Sequence, residues 1–274
     1  TGGVWSTANT ATATIDASGV VSGVAAGTTT MTYTVTNANG CVSTQTATVT
    51  VNAIPVVASI SGTTEVCDGS TTALASATAG GVWSTSDNTI ASVDANGVVT
   101  GEAAGTATIT YTVTTNGCTS SAQAVVNVNA LPTLAAIGGT TNACIGSSTI
   151  LTNTTSGGVW TSSAPSTATV NSITGAVTGV AAGSATITYT YTNSNGCTSA
   201  VTAAVTINAL PVVDVITGTT SVCEGATTAL ASTTTGGVWS TANTATATID
   251  ATGVVTGVAA GTTTMTYTVT NANG

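Results

Sequence analysis

The sequence predicts an all-β chain: tandem seven-stranded β-sandwiches arranged as a rod. Three observations predict it. The first is a period. Gly-Val-Trp recurs from Gly3, Gly81, Gly158 and Gly237, in steps of 78, 77 and 79 residues, and Ala-Ala-Gly recurs from Ala25, Ala103, Ala181 and Ala259. Self-similarity at a fixed spacing of this size marks an array of structural repeats. The second is composition. Thr, Ser, Ala, Gly and Val dominate while Lys and Arg are absent, which favours strands over surface helices. The third is alternation. In 107–114, Ala107, Ile109, Tyr111 and Val113 point one way and Thr108, Thr110, Thr112 and Thr114 the other, the two-residue period of a half-buried strand.

One repeat, read in order, supplies the elements. Residues 56–60 are apolar and follow Ile54-Pro55, which Leu131-Pro132 and Leu210-Pro211 match. Pro is tolerated at the start of an edge strand because its missing N–H is not needed there. Residues 71–76 form a second strand and 82–85, with Trp83, a third. Residues 90–93 and 98–100 flank Asp94-Ala95-Asn96-Gly97, an Asx-and-Gly turn. The alternating run 107–114 follows, then the hairpin signal Thr115-Asn116-Gly117, then 123–129. Seven short strands separated by turns are the pattern of a sandwich. The predicted organisation is the C-terminal part of a repeat at 1–54, whole repeats at 55–131 and 132–210, and the N-terminal part of a repeat at 211–274. Residues 1–40 and 235–274 differ only at Ser18/Thr252 and Ser22/Thr256, so the expectation is a window from a longer homogenised array, or a mature product of one. The inner faces collect the core anchors Trp5, Trp83, Trp160, Trp239, Tyr33, Tyr111, Tyr189 and Tyr267. An exposed Trp stacking on carbohydrate is the alternative role.

Composition also excludes partners. With no Lys, Arg or His and a net charge of −9, the chain has nothing to neutralise phosphates, which argues against nucleic acid and anionic membrane surfaces. No apolar run reaches membrane-spanning length. Ion pairs are unavailable, so stability falls to apolar burial, backbone hydrogen bonds and disulfides. A hydrophobic fraction of 42% removes the usual signature of disorder. The missing Lys and Arg also leave no trypsin-type cleavage site, an advantage outside the cell or a product of compositional drift.

The segments Trp-Ser-Thr-Ser-Asp at 83–87, Ile-Ala-Ser-Val-Asp-Ala-Asn-Gly-Val-Val-Thr-Gly at 90–101 and Ala-Ala-Gly-Thr-Ala-Thr-Ile-Thr-Tyr at 103–111 resemble the bacterial immunoglobulin-like domain, group two. The likeness covers roughly the second half of each repeat. It implies a seven-stranded immunoglobulin-like sandwich used in surface proteins and adhesins. The Cys-Asp-Gly and Asn-Gly-Cys pieces depart from that pattern and are similar to the repeat arrays of surface adhesins that gliding bacteria export by the type IX system.

Six cysteines fall at two places per repeat: Cys41, Cys118 and Cys197 after Asn-Gly, and Cys67, Cys144 and Cys223 before the second strand. The interval across each Pro boundary is 26 residues (67−41, 144−118, 223−197). Such regularity reads as a disulfide framework; zinc is disfavoured without His or Cys-x-x-Cys. In a sandwich with alternating strands, Cys67 lies at one end and Cys118 at the other, about 20–25 Å away, whereas a disulfide needs Cα atoms within about 7 Å. The far end of one repeat meets the near end of the next, which favours Cys67–Cys197 between repeats. The rival is Cys67–Cys118 with Cys144–Cys197 inside repeats.

No catalytic site is expected. Without His or Lys there is no His-based triad and no Schiff base. The acids are Asp16, Glu65, Asp68, Asp87, Asp94, Glu102, Asp214, Glu224 and Asp250, and their positions do not recur: Asp94 becomes Asn171 and Asp68 becomes Ile145. No cofactor and no metal are expected; calcium at Asp94-Ala95-Asn96-Gly97, or bridging at Glu65, Asp68 and Asp87, lacks the six to eight oxygens it takes. The expected role is a segment of an extracellular, cell-surface adhesive filament or stalk, used for attachment or gliding, whose partners are neighbouring repeats of the same chain. The alternative is a polysaccharide-binding repeat module of a secreted protein.

Overall fold

The computed structural model describes residues 2–272, and among them every regular element is a strand. The chain divides into two compact units, Thr1–Leu131 with Ser194–Cys197, and Pro132–Asn193 with Thr198–Gly274.

The first unit holds one complete sandwich. One sheet runs Ala91–Val93, Val98–Gly101, Thr71–Ala75, Ser61–Gly62, all antiparallel. The other runs Glu65–Cys67, Cys118–Asn129, Gly105–Thr115, Val82–Thr85. Leu74, Ala91 and Val99 of the first sheet bury against Val66, Ala107, Ile109, Val126 and Val128 of the second. The alternation of Gly105–Thr115 sets this register: Ala107, Ile109, Tyr111 and Val113 are buried while the Thr between them face out. Each buried Val or Ile contributes about 1.5–3 kcal/mol. Thr115 pairs with Cys118, so the hairpin loop is Asn116-Gly117, with φ of 50° and 82°. That is the primed two-residue turn for which Asn-Gly is suited.

The start of the repeat differs from expectation. Residues 56–60 are not a strand. Side chains replace the ladder there: Ala58 N–H donates to Thr78 Oγ1 (2.9 Å) and Ser76 Oγ–H to Ala58 O (3.2 Å). Val56, 90% exposed, has no face to bury. Pairing begins at Ser61–Gly62 and then changes sheets, because Glu65–Cys67 runs parallel to the end of Cys118–Asn129. The repeat therefore has eight strands, its first edge being split in two. Gly62 makes the crossing: its φ is 122°, and a Cβ would run into Ala73 O. The remainder of the first unit, residues 2–51, has a three-stranded sheet of Val4–Thr7, Gly27–Thr36 and Val42–Val51, and a hairpin of Ala13–Ile15 with Val21–Gly23.

The second unit repeats the plan. Gly138–Gly139, Ser148–Thr152, Ala176–Gly179 and Ala168–Val170 form one sheet; Asn142–Cys144, Thr198–Asn208, Gly183–Thr192 and Val159–Ser162 form the other. Leu151, Trp160, Val177, Ile187, Val205 and Ile207 are in its core. Its last part keeps the sheet Thr217–Gly218, Thr227–Ala231, Val254–Gly257, Ala247–Ile249, but the facing sheet has two strands, Val238–Thr241 and Met265–Thr268.

Candidate functional site: the cysteine joint

Parallel pairing sets Cys67 beside Asn129, at the point where the chain leaves the sandwich. Asp68 N–H donates to Asn129 O (2.9 Å) and locks that register. Cys67 is bonded to Cys197, with Cα atoms 5.6 Å apart and 130 residues between them in sequence. Cys197 is 1% exposed, and its sulfur lies 3.8 Å from Asn129 O. A bonded sulfur carries no proton, so this is a packing contact.

A polar relay surrounds the bond. Glu65 accepts from Asn127 Nδ2 (2.7 Å) and Asn129 Nδ2 (2.8 Å). The Asn127 amide, then the Asn129 amide, hold the Glu65 carboxyl below its ordinary range. With its NH₂ committed to Glu65, the Asn129 side-chain oxygen faces out and accepts from Asn195 Nδ2 (2.9 Å).

The same chemistry recurs at the preceding boundary. Asn52 Nδ2 donates to Asn116 O (3.0 Å), and the Cys118 thiol donates to Asn52 O (3.7 Å). In the second unit Asn271 Nδ2 donates to Ala209 O (3.1 Å). Cys118 thus sits on Asn52 as Cys197 sits on Asn129. Cys41, Cys118 and Cys223 are free thiols, the first and last exposed. Cys144 is buried. Because Cys67 and Cys197 hold each other, neither Cys67–Cys118 nor Cys144–Cys197 is formed.

The aromatic residues lie away from these boundaries. Each Trp packs on the Tyr opposite it in the ladder: Trp5 on Tyr33, Trp83 on Tyr111, Trp160 on Tyr189 and Trp239 on Tyr267, with ring centroids 4.6–4.7 Å apart. Trp160, Tyr111 and Tyr189 are buried; Trp5, Trp83, Trp239, Tyr33 and Tyr267 are half-buried. Every one of these Tyr hydroxyls also clamps a loop. Tyr111 accepts from Gly81 N–H (2.8 Å) and donates to Thr78 O (2.8 Å). Tyr189 does so with Gly158 and Thr155, and Tyr267 with Gly237 and Thr234; Tyr33 accepts from Gly3 N–H. The signal was the constant spacing of Thr-x-Gly-Gly-Val-Trp at Thr78, Thr155 and Thr234, whose meaning appears once Tyr is seen opposite Trp.

Four aspartates, Asp16, Asp87, Asp94 and Asp250, are occupied by turns. Asp94 Oδ1 accepts from Asn96 N–H and Val98 N–H (both 2.8 Å), and the Val98 amide first among its causes lowers the Asp94 pKa. Asp87 accepts from the Thr89 hydroxyl (2.6 Å) and amide (2.8 Å), which lower its pKa likewise. Among the described residues no three His, Cys, Asp or Glu come together as metal ligands, and no helix is long and apolar enough to cross a membrane.

Residues 147–202 match the bacterial Ig-like domain (group 2) family. No curated protein matches the chain. Among solved structures, domains 1–6 of surface layer protein SbsC are 18% identical with a TM-score of 0.27, over 93% of this chain and 46% of that one. A SusE-like surface-located polysaccharide-binding protein from the heparin utilisation locus of Bacteroides thetaiotaomicron is 11% identical, with a TM-score of 0.35, over 66% of this chain and 43% of that one. The C-terminal 282-residue fragment of intimin, solved with the intimin-binding domain of its translocated receptor, is 15% identical with a TM-score of 0.25, over 70% and 60% of the two chains. This chain therefore spans less than two thirds of each of these three structures. Together the family match and the sheets make this a chain of tandem Ig-like β-sandwich repeats.

Proposed function

We propose that the chain is a load-bearing segment of an extracellular adhesive filament or stalk, of the kind that surface adhesins of gliding bacteria display. One observation carries this reading: a disulfide joins residues of successive repeats, Cys67 of 55–131 and Cys197 of 132–210, at a boundary whose Asn contacts recur at Asn52. A bond between repeats restrains the joint and shortens the path by which tension crosses it. Disulfides persist in oxidising compartments, which supports an extracellular position. The Trp–Tyr pairs and the turn-bound aspartates serve each repeat's stability, which supports a structural role.

Polysaccharide binding along the Thr- and Ser-rich outer faces is the second reading. An array of glycans probed with the full chain separates the two. The stalk reading expects no saturable binding, and binding lost on substitution of outward Thr108 and Thr110 would favour the module. For the stalk, antibodies to the chain on its source cells should decorate surface fibres; staining confined to the cell interior would sink it.

A further inference from the structure

Alternation decides which side chains gather beside the Cys67–Cys197 bond. Val66 and Val128 point into the core at 5% and 4% exposure. Their neighbours Glu65, Cys67, Asn127 and Asn129 therefore share the opposite face. The parallel register sets Glu65 beside Asn127 and Cys67 beside Asn129. Backbone bonds fix that register at both ends, from Asn127 N–H to Thr64 O (2.8 Å) and from Asp68 N–H to Asn129 O (2.9 Å). The sandwich 55–131 thus holds these side chains in place by itself.

Cys197 comes from outside that sandwich. Ser194–Cys197 belongs to the first compact unit, whereas the strands on either side of it, Gly183–Thr192 and Thr198–Asn208, lie mostly or wholly in the second. Its sequence does not single it out, because Asn-Gly-Cys occurs also at 39–41 and 116–118. A side-chain contact just ahead of Cys197 ties it to Cys118–Asn129: Asn195 Nδ2 donates to Asn129 Oδ1 (2.9 Å).

That contact has a polarity, and Glu65 sets it. A carboxylate accepts and cannot donate. Glu65 takes Asn127 Nδ2 on one oxygen and Asn129 Nδ2 on the other. Asn129 must then turn its oxygen outward, where a donor fits and an acceptor does not.

We propose that Glu65, Asn129 and Asn195 are positioning residues for this disulfide: the carboxylate orients the Asn129 amide, and that amide docks Asn195 so that Cys197 reaches Cys67 before the sulfurs bond. A small disulfide such as oxidised glutathione then completes the joint. The Cys67 thiolate attacks it and releases one reduced glutathione. The Cys197 thiolate displaces the second from the mixed disulfide, and the two thiol protons end on the two glutathiones. Docking raises the effective concentration of Cys197 at Cys67, which a separation of 130 residues otherwise keeps low. The counterparts of Glu65 are Asn142 and Ser221, so a carboxylate sets the polarity at this joint in particular. The inference concerns how the bond is made and is independent of the stalk reading.

The test inverts the polarity. It uses the full-length chain with Cys41→Ser, Cys118→Ser, Cys144→Ala and Cys223→Ser, so that one pair of thiols remains. The equilibrium constant of that pair against reduced and oxidised glutathione is measured in this chain and after Asn195→Asp, Glu65→Gln, or both. Asn195 is exposed, so its substitution leaves the core untouched, and β-sheet circular dichroism checks each form. Asn195→Asp sets a carboxylate against the Asn129 oxygen and should lower the constant roughly tenfold. Adding Glu65→Gln should restore most of that loss. The new amide at 65 still accepts from Asn127 but donates to Asn129, which then turns its NH₂ toward the acid. Glu65→Gln alone should change the constant far less, because the neutral Asn195 amide turns to match. The recovery should persist in about 1 M salt, where charge repulsion is screened. Equal constants with and without Asn195→Asp, a loss that Glu65→Gln does not recover, a gain of the same size from Glu65→Gln alone, or a recovery that vanishes in salt would each overturn the proposal.

Discussion

Reducing the Cys67–Cys197 bond should roughly double the length to which the chain can be pulled. The bond closes 130 residues, and an extended residue spans about 3.4 Å, so it hides about 440 Å of contour. Of 274 residues, 274 − 130 = 144 remain extensible when the bond is intact, or about 490 Å by the same rise. The same closure removes loop entropy from the unfolded chain worth about 5 kcal/mol in the chain-entropy model. Single-molecule force extension between terminal tags measures the first quantity directly. The tags must not be thiol-linked, because Cys41 and Cys223 are exposed. Cys197 is buried, so Cys67→Ser is a cleaner reduced state than added reductant. The wild type should show a final contour near half that of Cys67→Ser, with residues 68–196 never contributing. Equal contours in the two proteins would refute the reasoning.

Other consequences follow from the clamp, the turns and the charge. Tyr111→Phe removes the hydroxyl that satisfies Thr78 O and Gly81 N–H and should cost about 1–3 kcal/mol, read as faster amide exchange in 55–131; unchanged exchange would remove the clamp from the account. Gly97 has φ 83° and lies against Leu74 O and the Trp83 ring, so Gly97→Ala should cost about 1–3 kcal/mol or more from backbone strain alone, visible as a lower Tm. Asp16, Glu65, Asp87, Asp94 and Asp250 all have lowered pKa values, through side-chain bonds first in four and the Val98 amide first in Asp94. Their stabilisation is present above the unfolded carboxylate range and lost as pH falls through the lower folded values. Urea midpoints should thus hold from pH 8 to about 5 and decline below about pH 4; a decline that begins at neutral pH would contradict this.

Much of each sandwich was legible because its signals are local. The Thr alternation of 107–114 and the Asn116-Gly117 turn specify a hairpin without reference to the rest of the chain. The opening of the repeat was not. Residues 56–60 look like a strand by apolarity, but Thr78 and Ser76 bind Ala58 from 18–20 residues away, and the crossing at Gly62 depends on the opposite strand. The relay from Glu65 through Asn129 to Asn195 was hidden for the same reason. Its bonded pairs lie 62–66 residues apart, and Glu65 is replaced by Asn142 and Ser221 in the other repeats, so the period does not reveal it. The Tyr clamp lay between these cases: its residues recur, but their roles depend on the ladder that sets Trp against Tyr.

The central claim is that covalent continuity passes between repeats at Cys67 and Cys197, and non-reducing peptide mapping tests it most directly. Trypsin has no site, but in a Cys41→Ser, Cys223→Ser variant chymotryptic cleavage at Leu74, Tyr111, Leu134, Leu151 and Tyr191 separates Cys67, Cys118, Cys144 and Cys197. The account predicts a peptide containing Cys67 linked to one containing Cys197. A Cys67–Cys118 linked peptide as the main product would contradict it.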